Sequence, residues 1–108
     1  MKKVRPVRGL AVLADSELLQ LKNLGVASVN ILRAVGISNY QDLRQIGSVE
    51  AYRRIRDRGI NVSKVMLYAL EGALTDTHWK DIDPNHKAGL LMEVERADNR
   101  EMEKDPLA

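Results

Sequence analysis

Three features of this 108-residue chain predict an all-α fold. Glycines at positions 25, 36, 47 and 59 punctuate apolar residues that recur at helical spacing. There is no Phe, one Trp and three Tyr, so the core must come from Leu, Val, Ile, Ala and Met, which favours helices over strands. Residues 63–74 are apolar around most of a helical circumference, the mark of a buried helix. The expected architecture is a compact bundle of about five to six short helices.

Residues 1–15 read as a basic flexible arm carrying Lys2, Lys3, Arg5 and Arg8, with Pro6 and Gly9 keeping it irregular. Its apolar patch, Leu10–Leu13, is suited to docking on the core. Ser16 is an N-cap residue and Glu17 suits a first turn, so a short helix is expected to run to Leu24. Gly25 supplies a sharp corner. A second helix follows over Val26–Val35, with Val29, Leu32 and Val35 on one face and Gly36 as its stop. Ser38 or Asn39 caps a third helix containing Tyr40, Leu43 and Ile46, which Gly47 ends. Ser48 caps a fourth, with Ala51, Tyr52 and Ile55 facing inward and Gly59 at its end.

The fifth helix, 63–74, is the expected spine. Gly72 lies on its apolar side, where it admits a close neighbour. Residues 76–83 make a polar connection anchored by Trp79. Asp83 caps and Pro84 opens a last helix, with Ala88, Leu90, Leu91 and Val94 turned inward. Beyond Ala97 apolar anchors are sparse, so residues 98–108 read as a fraying charged tail.

The glycine pattern occurs twice. Leu21-x-x-Leu24-Gly25 is followed eleven residues later by Gly36-Ile37, and Leu43-x-x-Ile46-Gly47 is followed twelve residues later by Gly59-Ile60. This predicts tandem helix-hairpin-helix-like units, a motif that elsewhere grips nucleic-acid backbones. At the first corner, Lys22, Gly25, Val26, Ala27 and Ser28 form a candidate anion site, because free N–H groups of a first helical turn favour negative charge. Ala27 stands where DNA-gripping hairpins usually carry a second glycine, so a methyl group hinders close approach of a phosphate.

Charge adds a second candidate. Residues 1–64 hold 12 Lys and Arg against 5 Asp and Glu, while residues 65–108 hold 5 against 10. The densest positive cluster is Arg53, Arg54, Arg56 and Arg58. At 100° per residue Arg53 and Arg56 fall on one flank of the fourth helix, Arg54 and Arg58 on the other. Such a cluster serves phosphates, an acidic protein surface, or only a solvated face. Oppositely charged halves also attract each other across a fold or a dimer.

No cysteine is present, which excludes disulfides and thiol chemistry. Nothing at the N-terminus resembles a signal peptide and no apolar run is long enough to span a membrane, so a cytoplasmic location is expected. His78, Asp81, Asp83 and His86 match no standard metal spacing, and Glu71 is expected to be exposed or paired with Lys64. No nucleophile–base pair or nucleotide loop can be argued. The chain is expected to be no enzyme and to use no cofactor, metal or small-molecule substrate.

Residues 21–91 resemble the C-terminal domain of the TfoX/Sxy family, bacterial regulators of natural competence. The matching stretches are Leu21-x-Asn23-Leu24-Gly25, Ser28, Val35-Gly36-Ile37, Asp42-Leu43, Gly47, Ala51-Tyr52, LYALEGAL at 67–74, His78-Trp79, and Lys87 with Leu90-Leu91. The resemblance places a TfoX C-terminal-like helical domain at 16–97. Full-length relatives carry an N-terminal domain ahead of this one, and members more often show glycine where Asp76 stands. It implies an all-α domain and a role in gene regulation linked to DNA uptake, alongside a cyclic-AMP-responsive activator.

Two functional readings follow. In the first, a non-enzymatic regulatory module docks on a transcription-related protein or on itself as a homodimer. In the second, the module grips the DNA backbone directly. The missing second glycine and the acidic C-terminal half favour docking. Either partner is expected on one face made of the Gly25 hairpin, the basic arm and the arginine-rich fourth helix.

Overall fold

A computed structural model describes residues 17–104, and every regular element among them is helical. A helical turn at 17–19 leads into α1 (Val26–Ala34), α2 (Tyr40–Asp57), α3 (Lys64–Thr75), a 3-10 turn (Trp79–Asp81) and α4 (Pro84–Lys104). The basic arm, Ser16 and the last four residues lie outside the described residues. No helix among the described residues is long and apolar enough to cross a membrane.

Local sequence explains most of the boundaries. The Asp42 N–H donates to Asn39 Oδ1 at 2.8 Å, and the Ser38 N–H donates to Asp42 Oδ2 at 3.2 Å, a reciprocal cap on α2. Ser63 Oγ accepts from the Val65 N–H at the start of α3. Asp83 Oδ2 accepts from the N–H groups of Asn85 and His86, as expected of the cap before Pro84.

The two glycine stops are built alike. At the end of α1, Gly36 (φ 88°) donates to Arg33 O and Ile37 donates to Leu32 O. At the end of α2, Gly59 (φ 90°) donates to Arg56 O and Ile60 to Ile55 O. Both are Schellman closures at the same offsets, so the duplicated pattern holds at these ends.

The corners differ. Gly47 (φ 84°, ψ 163°) breaks α2 into two arms, which are the expected third and fourth helices. Gly25 does not supply the first corner. It caps α1 at φ −113°, ψ −171°, extended backbone open to any residue, and the left-handed residue is Asn23 at φ 72°. An asparagine amide able to bond the surrounding backbone takes the role assigned to glycine.

The main core gathers Leu18, Leu24, Val29, Leu32, Ile37, Leu43, Ala51, Ile55, Leu70 and Ala73. A second cluster joins Leu67 of α3 to Leu90 and Val94 of α4. Because α3 contributes to both, it is the spine. Each fully buried leucine adds about 1.5–3 kcal/mol of transfer free energy.

Several expectations need correction. The first helical segment ends at residue 19, and the chain then turns before Leu24. Ser48 is buried and its hydroxyl donates to Glu71 Oε1 at 2.7 Å instead of serving as a cap. Trp79 is half-buried, and Ile82 is the buried residue of that connection. Ala88 is exposed. Residues 98–104 do not fray: α4 continues to Lys104, because polar anchors replace the missing apolar ones.

Candidate functional site

At the first candidate site, Gly25 caps α1 with no side-chain hydrogen bond, and its first turn holds no acidic residue. The first intrahelical bond runs from the Val29 N–H to Gly25 O at 2.9 Å, so Val26, Ala27 and Ser28 carry the N–H groups without an intrahelical acceptor. Val26 is 66% exposed. Lys22, one turn earlier, lies 3.9 Å from Asp76 across an exposed pair.

The arginines of α2 divide between two environments. Arg53 is buried, with Nε on Asp98 Oδ1 at 2.8 Å, Nη1 on Glu50 Oε1 at 2.8 Å, and Nη2 on Glu101. Arg56 meets Asp98 through both terminal nitrogens, at 2.9 and 2.8 Å, and reaches Asp57 as well. A bidentate fork of this kind is the strong form of the arginine–carboxylate pair. Hydrogen bonds from Arg56 and Arg53 outweigh desolvation and hold the Asp98 carboxyl down at about 2. The same pairs raise both guanidinium groups further above their ordinary value. These ion pairs are what carries α4 past Ala97.

Arg58 does something different. Its Nη1 donates to the carbonyl of Ala34 at 2.7 Å, satisfying the C-terminal end of α1 with a cation. Arg54 is exposed and stands 3.6 Å from Glu50.

The candidate residues therefore do not converge on one point. Arg58 sits against the last residue of α1, whereas Gly25–Ser28 lie at its first turn. Nine residues at 1.5 Å each separate the two ends by about 13 Å. The basic arm lies outside the described residues.

Three polar centres escaped the sequence reading. Asn23 Nδ2 donates to Ala69 O at 3.3 Å and Thr77 O at 2.9 Å, while its Oδ1 accepts from the Trp79 N–H at 3.1 Å. Glu71 joins three helices, accepting from Ser48 of α2 and meeting His86 Nε2 of α4 at 2.8 Å, not Lys64 as expected. Lys87 stands over both Tyr68 and Trp79, at 5.2 and 5.4 Å from the ring centres. His78 Nδ1 accepts from the Lys80 N–H, and its ring stacks beside Trp79. Among the described residues no group of three metal-ligating side chains converges. Asn23, Glu71, His78-Trp79 and Lys87 all fall in the stretches that carry the family resemblance, but those stretches do not reveal which residues are partners.

The sequence profile of the TfoX C-terminal domain matches residues 14–94. The chain belongs to that family. A crystal structure of an uncharacterized protein from Listeria monocytogenes, in a triclinic form, has the same fold with a TM-score of 0.67 and 32% identity. The similarity covers 75% of this chain and 92% of the Listeria chain. No curated protein matches the sequence. The TfoX C-terminal match explains why residues far apart in sequence, such as Asn23, LYALEGAL at 67–74 and His78-Trp79, were recognisable together: they meet at one packed corner. At the level of the family the match supports a competence- or regulation-related domain. At position 76, where members more often carry glycine, Asp76 adopts the left-handed conformation that glycine takes freely, at φ 56°, ψ 44°.

Proposed function

We propose that this chain is a non-enzymatic, cytoplasmic regulatory module that acts by docking on a transcription-related protein. The observation that supports docking over DNA binding is the fate of the arginines. Arg53 and Arg56 are engaged with Asp98, Glu50 and Glu101, and Arg58 with the Ala34 carbonyl. A phosphate backbone gains affinity from cations free to displace its counterions. Here the densest cation cluster is already neutralised from within, leaving Arg54 as its most available member.

A direct backbone grip draws support from a separate feature, the uncapped and exposed first turn of α1. One experiment separates the readings. A fluorescently labelled duplex is titrated with the full chain over a range of salt, and the immobilised chain is incubated with lysate of its own cell. Docking predicts no duplex binding at physiological salt and retention of a discrete transcription-related protein. Duplex binding that persists at physiological salt, with a steep logarithmic salt slope, would overturn it.

A further inference from the structure

The second half of α4 is held mainly by charge. Leu90 and Val94 are the buried residues of this helix, and none of residues 95–103 is buried. An open groove of about 530 Å³ separates this part of α4 from α2, with Ile46 and Val49 on one wall and Arg96 and Arg100 on the other. What draws the two helices together is Asp98 and Glu101, one helical turn apart, on Arg53 and Arg56. The two acidic side chains remain 35% and 65% exposed. Carboxylates so open to water hold a helix end with modest free energy, so the turn at 98–104 belongs to the low-stability end of the fold.

Lifting that turn uncovers a cationic seat. Residues 50–58 carry four arginines, at 53, 54, 56 and 58, against Glu50 and Asp57. The Arg53 side chain is only 9% exposed, and a guanidinium seated that deep is costly to leave short of carboxylates. The seat therefore takes an anion, and its present occupant shows which kind. That occupant is a helix offering two carboxylates one turn apart. A duplex backbone fits poorly, because it brings a charge at every step along a groove that Glu50 and Glu93 also line.

We propose that the end of α4 is an autoinhibitory strap over a docking seat for an acidic helix of the partner protein, whose own two carboxylates replace Asp98 and Glu101 on Arg53 and Arg56. The inference deepens the docking reading above and rests on it. Tethering gives the strap a high effective concentration, so an isolated acidic helix binds the parent weakly. A partner prevails by adding contacts nearby, for which the groove offers Ile46 and Val49.

The probe is a fluorescein-labelled, alanine-based helical peptide with Asp and Glu three residues apart, and a control peptide carries Asn and Gln there. The full chain with Asp98→Asn/Glu101→Gln should bind the acidic peptide at least tenfold tighter than the parent, and the control peptide should bind neither. Adding Arg56→Gln should remove the gain, with unfolding still cooperative in both variants. In the parent itself, saturating acidic peptide should speed amide exchange in residues 98–104, a readout that needs no variant to fold. Equal affinity of parent and double variant, a gain that survives Arg56→Gln, or exchange at 98–104 unmoved by the peptide would overturn the strap. A double variant that prefers a short DNA duplex to the peptide, or that dimerises while ignoring it, would overturn the occupant, for the seat would then take phosphate or a second copy's α4. Capture of the protein partner no more tightly by the double variant than by the parent would overturn the strap while leaving the docking reading intact. Duplex binding by the parent at physiological salt would overturn both.

Discussion

The side-chain amide of Asn23 occupies the space that a Cβ on Gly72 would fill. The carbonyl of Thr77, hydrogen-bonded to that amide, fills the same space. Gly72 is therefore required by close approach and not by backbone freedom, since it sits in the regular α3 helix. The absent side chain lets Asn23 bond Ala69 and Thr77 across α3 and hold the Trp79 N–H.

Gly72→Ala should consequently destabilise the protein, although alanine is the better helix former by about 1 kcal/mol. The added methyl meets backbone and a committed amide, so the overpacking cost of about 1–3 kcal/mol must exceed that gain. Urea unfolding measures the difference. A midpoint equal to or above the parent's would show that the corner yields freely.

Asn23→Gly and Asn23→Ala separate two roles of one residue. Both lose the three amide bonds, leaving the Trp79 N–H and Thr77 carbonyl without these partners, at about 1–3 kcal/mol for each buried group left unsatisfied. Alanine must also hold φ 72°, which adds about 1 kcal/mol or more. The alanine variant should melt below the glycine variant, and equal melting would remove the backbone argument.

The glycine stops allow a sharper contrast. Gly36→Ala and Gly59→Ala should each cost about 1 kcal/mol or more, because both sit near φ 90° in a Schellman closure. Gly25→Ala should be nearly neutral, for its φ is −113° and nothing lies within 4 Å of an added Cβ. A loss at position 25 matching those at 36 and 59 would contradict this assignment of the corners.

Local signals were legible and long-range ones were not. The Asn39–Asp42 cap, the Asp83–Pro84 start and both glycine closures join residues within five positions, so composition and spacing expose them. The spine could be read from α3 because a helix apolar all round has one place to go. Asn23 reaches partners 46, 54 and 56 residues away, and Arg53 meets Asp98 and Glu101 at separations of 45 and 48. No periodicity encodes such pairs. The charge asymmetry between the two halves announced that they attract, yet it left open whether the attraction lay within the fold or toward a partner. The expectation that the tail beyond Ala97 frays has that cause.

Leu70→Ala should cost about 2–5 kcal/mol, because Leu70 is fully buried in the main core and α3, packed along α2 and the 3-10 turn, contributes to both core clusters, leaving little room to collapse around the cavity. In a domain of this size that is a large share of total stability. An unchanged melting temperature would remove α3 from the centre of the fold.

Acid should release the end of α4 before the core unfolds. Asp98 sits at about 2 in the folded protein, below the ordinary unfolded value of about 4. A depressed carboxyl contributes stability that is present above the unfolded value and lost as pH falls through the folded one, so the loss belongs between about pH 4 and pH 2. Protonation removes the acceptor of the Arg56 fork and one partner of Arg53. Solvent screening of this partly exposed carboxylate limits the energy involved. Amide exchange in residues 98–104 should accelerate across that window, while exchange at Leu67 and Leu70 changes later. Asp98→Asn should bring the faster exchange to neutral pH and flatten the acid dependence. If its exchange at neutral pH matched the parent's, the continuation of α4 past Ala97 would have to rest on something other than Arg53 and Arg56.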